Sequence, residues 1–210
     1  MNKLVSTILK IFLAPIISVL LIKEVKGSLP KTNFILAPNH QSYIDIVVCG
    51  YLCVPRKFTF IGQVDKGKGL IGFLRDSIYF LAGVIPLNRK DEDSKKQAFA
   101  KAVEALKKGY CLVIYPEGKR SETGEVQEGK WGVAKLFLET NVPIVPLGIT
   151  GAFEVMPPKK EKIKIKKIIK LNIGKPLLFK EELESKDYKD ACINITNKVM
   201  AEIKKLVYEN

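Results

Sequence analysis

The sequence has one histidine, four cysteines and no repeated or low-complexity segment, and these scarcities narrow what its 210 residues can do. Cys49 and Cys53 stand one helical turn apart. With His40 alone and no second cysteine pair, a zinc centre lacks ligands. A small-x-small cleavage site is also missing: Lys23-Glu24-Val25-Lys26 stands where it would follow an export signal. Without export there is no oxidising compartment, so Cys49, Cys53, Cys111 and Cys192 are expected as free, buried thiols rather than disulfides. No helix-turn-helix, zinc-finger or aromatic single-strand-binding signature accompanies the lysines, which argues against nucleic acid as a partner.

What is present points to a folded chain of ordinary domain size, 47% apolar and 27% charged. Thirty-five Lys and Arg face 22 Asp and Glu, a formal charge of +13, so an anionic partner is expected: lipid headgroups, a phosphorylated substrate or nucleic acid. The stretch from Leu4 to Ile22 is almost wholly apolar. Its charge-free part, Ile11 to Ile22, would be only about 18 Å long as a helix, short of the roughly 30 Å hydrocarbon core. Lys10 interrupts any longer span and would have to snorkel to the interface. A helix dipping into one leaflet fits both facts better than a full crossing, with a buried core helix as the alternative. The expected organisation is a membrane-associating segment over residues 1–24 and one domain over 25–210.

Beyond Gly27 short apolar runs alternate with helical patterns, the signature of an α/β domain with helices flanking a mixed sheet. Asn33 to Ala37 reads as a buried strand stopped by Pro38, with a helix starting near Ser42. Asp93-Ser94 is a candidate cap for a helix ending at Gly109, followed by a strand from Tyr110 to Tyr115. A helix from about Lys130 to Glu139 leads to a strand at Ile144 to Ile149, where Pro143 and Pro146 suggest a sheet edge or a bulge. Lys159 to Lys170 suggests a basic-faced strand, and Lys186 to Val207 an amphipathic helix with Ile193, Val199, Ile203 and Leu206 as its apolar stripe.

Three segments carry chemistry. In Asn39-His40-Gln41-Ser42-Tyr43-Ile44-Asp45 the histidine and aspartate would lie about 140° apart on a regular helix. They meet only if His40 sits on a loop and Asp45 in the first helical turn. A carboxylate there would accept the proton of one ring nitrogen and leave the other as a base, giving two members of a triad without a protein nucleophile. A lone histidine capping a helix is the alternative. In Tyr115-Pro116-Glu117-Gly118-Lys119-Arg120-Ser121 a strand ends in a turn with two cations; Gly118 allows close backbone approach and Arg120 offers a planar fork to phosphate. A charged hairpin tip is the other reading. Gly83 to Arg89 is an apolar run ending in an arginine, which could equally pair with Asp91, Glu92 or Asp93.

Taken in order, these motifs resemble the glycerolipid acyltransferases typified by bacterial 1-acyl-sn-glycerol-3-phosphate acyltransferase. That family shows a His and Asp separated by four residues, an apolar run ending in Arg, an aromatic-Pro-Glu-Gly-x-Arg-Ser turn and a Val-Pro-Ile-Val-Pro strand. This chain carries them as His40 and Asp45, Ile85 to Arg89, Tyr115 to Ser121 and Val142 to Pro146, within a resemblance covering about Val25 to Gly174. The resemblance implies that His40 is the general base and Asp45 its orienter. It makes Arg89 and Arg120 ligands of the acceptor phosphate, and gives Glu117 and Gly118 the shaping of the acceptor pocket. It also implies acyl transfer from acyl-CoA or acyl carrier protein to lysophosphatidic acid, without metal or redox cofactor, at an anionic membrane surface on the cytoplasmic face. Lys119 replaces a common threonine and Tyr115 a common phenylalanine, so another lysolipid acceptor or a catalytically silent lipid binder stays open.

Overall fold

The computed structural model describes residues 3–63, 83–158 and 163–209. Its strands are β1 (Ile22–Lys26), β2 (Ile35–Pro38), β3 (Phe58–Gln63), β4 (Val84–Leu87), β5 (Cys111–Val113), β6 (Ile144–Thr150) and β7 (Ile169–Ile173). They form one sheet in the order β1-β7-β6-β2-β5-β3-β4. From β4 to β6 neighbouring strands are parallel; β7 runs antiparallel to β6, and β1 parallel to β7. The helices are numbered α1 (Lys3–Leu20), α2 (Ile44–Cys53), α3 (Glu92–Lys107), α4 (Gly132–Thr140), α5 (Ala152–Val155), α6 (Lys180–Leu183) and α7 (Tyr188–Tyr208). The expected mixed α/β sheet flanked by helices is what forms.

Strand pleating sorts the apolar residues into two cores. Phe34 and Leu36 face a layer built from α1, α2 and α5, with Val48, Cys49 and Cys53 against them. Ile35 and Ala37 face the opposite layer, where α3, α4 and α7 contribute Leu106, Phe137 and Ile195. Burial on both faces explains why β2 reads as a continuous apolar run rather than an alternating one. All four cysteines are buried and unpaired in these cores.

Several local expectations need correction. The strand Ile144–Thr150 is neither an edge nor a bulge: it lies between β2 and β7, near the middle of the sheet. Pro146 is tolerated because its side of the ladder to β7 begins only at Leu147, and its carbonyl still accepts from Gly174 N at 2.9 Å. The cap of α3 is Asp91, whose carboxylate accepts from the amides of Asp93 and Ser94, the pair expected to do the capping. The strand expected over 159–170 forms only at Ile169–Ile173. Residues 159–162 lie outside the described residues, and Ile163 and Ile165 are exposed on irregular backbone. Two more details shift: the strand expected from Tyr110 shortens to Cys111–Val113, and in α7 Ile195 is buried with Val199 and Ile203 while Ile193 and Leu206 are only half-buried. The boundary expected after residue 24 falls inside β1.

α1 occupies the expected apolar N-terminal segment. Of its described side chains only Ile17 is buried, while Ile8, Ile11, Phe12, Leu13, Ile16, Val19 and Leu20 are exposed. No helix among the described residues is long and apolar enough to cross a membrane.

α7 comes close to the sheet at Gly148 on β6, where an added Cβ would sit 2.7 Å from the backbone of Leu206. The Leu206 carbonyl also accepts from Asn172 Nδ2 on β7 at 2.9 Å, so the helix is held there. Gly148→Ala is therefore expected to destabilise the fold by about 1–3 kcal/mol through overpacking. Urea unfolding measures this. A change below about 0.5 kcal/mol would mean that α7 retreats from the sheet without cost.

Candidate active site

β2 ends at Pro38 and α2 begins at Ile44, leaving His40 on the intervening loop at the carboxyl end of the parallel strands. This is the end of an open α/β sheet at which ligands bind. Asp45 lies in the first turn of α2, fully buried. Its Oδ2 accepts from His40 Nδ1 at 2.8 Å and from the amides of Gln41 and Ser42 at 2.7 Å each. The loop-plus-first-turn arrangement that the spacing demanded is thus present. Three donors on one oxygen fix the carboxylate, which in turn holds Nδ1 as the protonated ring nitrogen and directs the lone pair to Nε2. Nε2 has no hydrogen bond among the described residues.

The loop is tied to its neighbours on every side. Asn39 extends the ladder between β2 and β6 with its side chain, giving Nδ2 to Ile149 O at 3.0 Å and accepting from Ile149 N at 2.7 Å. Gln41 Nε2 donates to the same carbonyl at 2.7 Å, and Ser42 Oγ donates to Met156 O at 2.7 Å. These side chains are buried, and each has the partner that burial demands.

The turn after β5 closes over the loop from the other side. Tyr115 lies flat on the His40 ring, centroids 3.8 Å apart and planes 18° from parallel, while its hydroxyl points to Cys49 Sγ at 3.8 Å. Burial raises the pKa of both the Tyr115 phenol and the Cys49 thiol, which keeps each neutral. Glu117 Oε1 accepts from His40 N at 2.9 Å, and Ser121 N donates to His40 O at 2.7 Å. The histidine peptide is therefore held at both its amide and its carbonyl by one turn. Glu117 Oε2 accepts from Gln127 Nε2 at 2.8 Å and from Gln127 N at 3.2 Å. Gly118 supplies the left-handed conformation, φ 71°, that lets this turn fold back.

Glu117, expected to shape an acceptor pocket, directs its carboxylate into this internal network and positions His40. Arg120 stacks its guanidinium on the Tyr43 ring, 3.8 Å above the centroid, beside the entrance of α2. Arg89 is exposed just past the end of β4, at the same end of the sheet. Three strand spacings, about 14 Å, separate β4 from β2. The fold thus gathers His40, Asp45, Glu117, Gly118 and Arg120 closely and leaves Arg89 at the rim. Asn39, Gln41, Ser42 and Gln127 escaped the sequence reading. The first three adjoin the histidine but follow no periodic pattern, and a Glu–Gln spacing of ten residues carries no local signal.

A family profile described as Acyltransferase matches residues 22–150, more than half of the chain and all of the residues just described up to β6. The chain belongs to the Acyltransferase family. Its relatives within the family include a chloroplastic 1-acyl-sn-glycerol-3-phosphate acyltransferase of Arabidopsis thaliana. That protein is 31% identical over 146 residues, 70% of this chain and 40% of the relative. A protein of the same name from Borreliella burgdorferi is 29% identical over 119 residues, 56% of this chain and 45% of its own length. The chain spans about 40% of the length of the plant relatives. The crystal structure of the 1-acyl-sn-glycerophosphate acyltransferase PlsC from Thermotoga maritima shares the fold. Its TM-score is 0.68 at 24% identity, over 90% of this chain and 72% of that one.

In this member of the Acyltransferase family Glu117 is a buried carboxylate. Desolvation pushes its pKa up, while donors from His40 and Gln127 pull it partly back. Its folded pKa lies above the unfolded one, so the folded state binds more protons in that interval and stability falls as pH rises through it. Glu117→Gln should abolish that slope in melting curves taken from the ordinary carboxylate range upward in pH. It should also lower activity about tenfold, mainly in kcat, because one amide cannot accept from both the His40 and the Gln127 donors. An effect confined to acceptor KM would show instead that Glu117 binds substrate.

Proposed function

We propose that this protein transfers a fatty acyl group from acyl-CoA or acyl carrier protein to the free hydroxyl of 1-acyl-sn-glycerol 3-phosphate, giving phosphatidic acid. The observation that carries the reading is the 2.8 Å bond between His40 Nδ1 and Asp45, with Nε2 unengaged among the described residues at the carboxyl end of the sheet. The names of the relatives support the acceptor class. Nε2 takes the proton of the acceptor hydroxyl as its oxygen attacks the thioester carbonyl. The tetrahedral adduct then collapses, the C–S bond breaks, and the thiolate recovers the proton from the imidazolium. Asp45 stabilises the imidazolium that exists between the two transfers. No metal or redox cofactor takes part in this scheme.

Arg120 and Arg89 are assigned to the acceptor phosphate, Arg120 by leaving Tyr43 or by binding over it, and Arg89 by reaching in from the rim. Lys119, exposed on the same turn where the family commonly has threonine, adds a further cation. That charge favours, as a second reading, a lysolipid with a different anionic headgroup. The exposed apolar side of α1 supports association with one leaflet of a membrane, with Lys10 left at the interface, and the cytoplasmic face is assigned as part of the same proposal.

Purified protein offered lysophosphatidic acid and other lysolipids with each donor tests the assignment. His40→Ala should lower turnover by roughly 100- to 10,000-fold without loss of fold; near-normal activity would exclude the mechanism. Arg89→Ala and Arg120→Ala should each lower kcat/KM by roughly 10- to 100-fold, about 1.4–2.7 kcal/mol, through acceptor KM, with lysine restoring part of it. Equal losses on an acceptor without phosphate would remove the arginines from phosphate binding.

A further inference from the structure

The connection between β6 and β7 returns at the His40 end of the sheet, because the two strands are antiparallel and Thr150 pairs with Lys170. Within it Ile163-Lys164-Ile165-Lys166-Lys167 lies on irregular backbone with all five side chains exposed, Ile163 at 51% and Ile165 at 66%. The segment is nonetheless anchored. Lys164 N donates to Val155 O at 2.8 Å, and Ile169 N donates to Leu21 O at 3.0 Å. The first bond ties it to α5, whose following residue, Met156, receives the Ser42 hydroxyl of the His40 loop. The second ties it to the end of α1, the helix with the exposed apolar face. The segment thus carries two exposed isoleucines among three lysines and is bonded on one side to the element that receives the His40 loop and on the other to the residue that follows α1.

We infer that residues 163–167 form a second contact with an anionic phospholipid bilayer, separate from α1, with Ile163 and Ile165 entering the interface and Lys164, Lys166 and Lys167 meeting lipid phosphates. The charge of the segment complements anionic headgroups, and its two exposed isoleucines add apolar surface to that offered by α1. A single helix fixes depth but leaves the domain free to swing about it. A second contact on the His40 side of that helix turns the carboxyl end of the sheet toward the lipid, where an acceptor with its acyl chain in the bilayer would enter. This orienting role rests on the acyltransferase reading; the bilayer contact itself does not.

The full-length protein is mixed with phosphatidylglycerol–phosphatidylcholine vesicles and bound protein is measured by sedimentation across a salt series. Ile163→Ser with Ile165→Ser should lower partitioning about tenfold at every salt concentration, as expected for lost apolar burial. Lys164→Ala with Lys166→Ala and Lys167→Ala should lower it by about 100-fold at low salt, and flatten the salt dependence. These positions are exposed, so melting temperatures should stay at the wild-type value. Turnover of a short-chain, monomeric lysophosphatidic acid should stay within about twofold of wild type in both variants, because neither touches the site. Unchanged vesicle binding in either variant overturns the proposal. So does selective loss of turnover with acyl carrier protein at normal vesicle binding, which would make the segment a carrier-protein dock. Absence of turnover in the wild type on every acceptor would sink the acyltransferase reading and leave the vesicle result standing.

Discussion

The fixed orientation of the His40 imidazole is the constraint on which the arrangement around it depends. A histidine on a loop has two soft side-chain torsions and a mobile backbone, and a base that wanders by an ångström loses much of its advantage. Here the ring is held by Asp45 on one nitrogen and by Tyr115 on one face, and the peptide by Glu117 and Ser121. The tethers come from α2, from the turn after β5, and through Asn39 and Gln41 from β6. Displacing any of these elements would move the imidazole.

The sheet order explains how so many tethers reach one loop. β2 lies between β5 and β6, so the segments leaving all three strands emerge side by side at the same end. The 115–121 turn follows β5 and the Ile149 carbonyl lies near the end of β6, one strand spacing away on either side, about 5 Å. β4 is three strands distant, which is why Arg89 stands at the rim and Arg120 at the centre. A substrate that bridges both arginines must therefore lie across the strand ends rather than point down between them.

Glu117 shows how one residue type can be legible while its task is not. The turn Tyr115 to Ser121 stands out in the sequence for its glycine and cations, and the family resemblance gives its glutamate the shaping of an acceptor pocket. Its carboxylate instead accepts from a main-chain amide 77 residues earlier and from Gln127. The physical reason is desolvation: a buried carboxylate is retained only where fixed donors surround it, and the loop peptide supplies one of them.

The sequence by itself determined the α/β class, because apolar period and breaker positions are local properties. It also set the condition for pairing His40 with Asp45, because a spacing of five permits contact only through a loop and a first helical turn; that they do meet, rather than His40 capping a helix, was decided by the structure. Acidic capping was legible near Asp91, although the carboxylate and the amides it satisfies were assigned the wrong way round. The place of β6 near the sheet centre was decided by tertiary structure alone. A proline suggests an edge until it is known that β7 pairs from Leu147 onward and leaves Pro146 clear of that ladder. The irregular course of residues 163–168 was likewise decided there, since alternating Ile and Lys satisfy strand periodicity but pair with no strand among the described residues. Stacking of Tyr115 on His40 and clamping by Glu117 join residues some 75 positions apart, and only the adjacency of β2 and β5 brings them together.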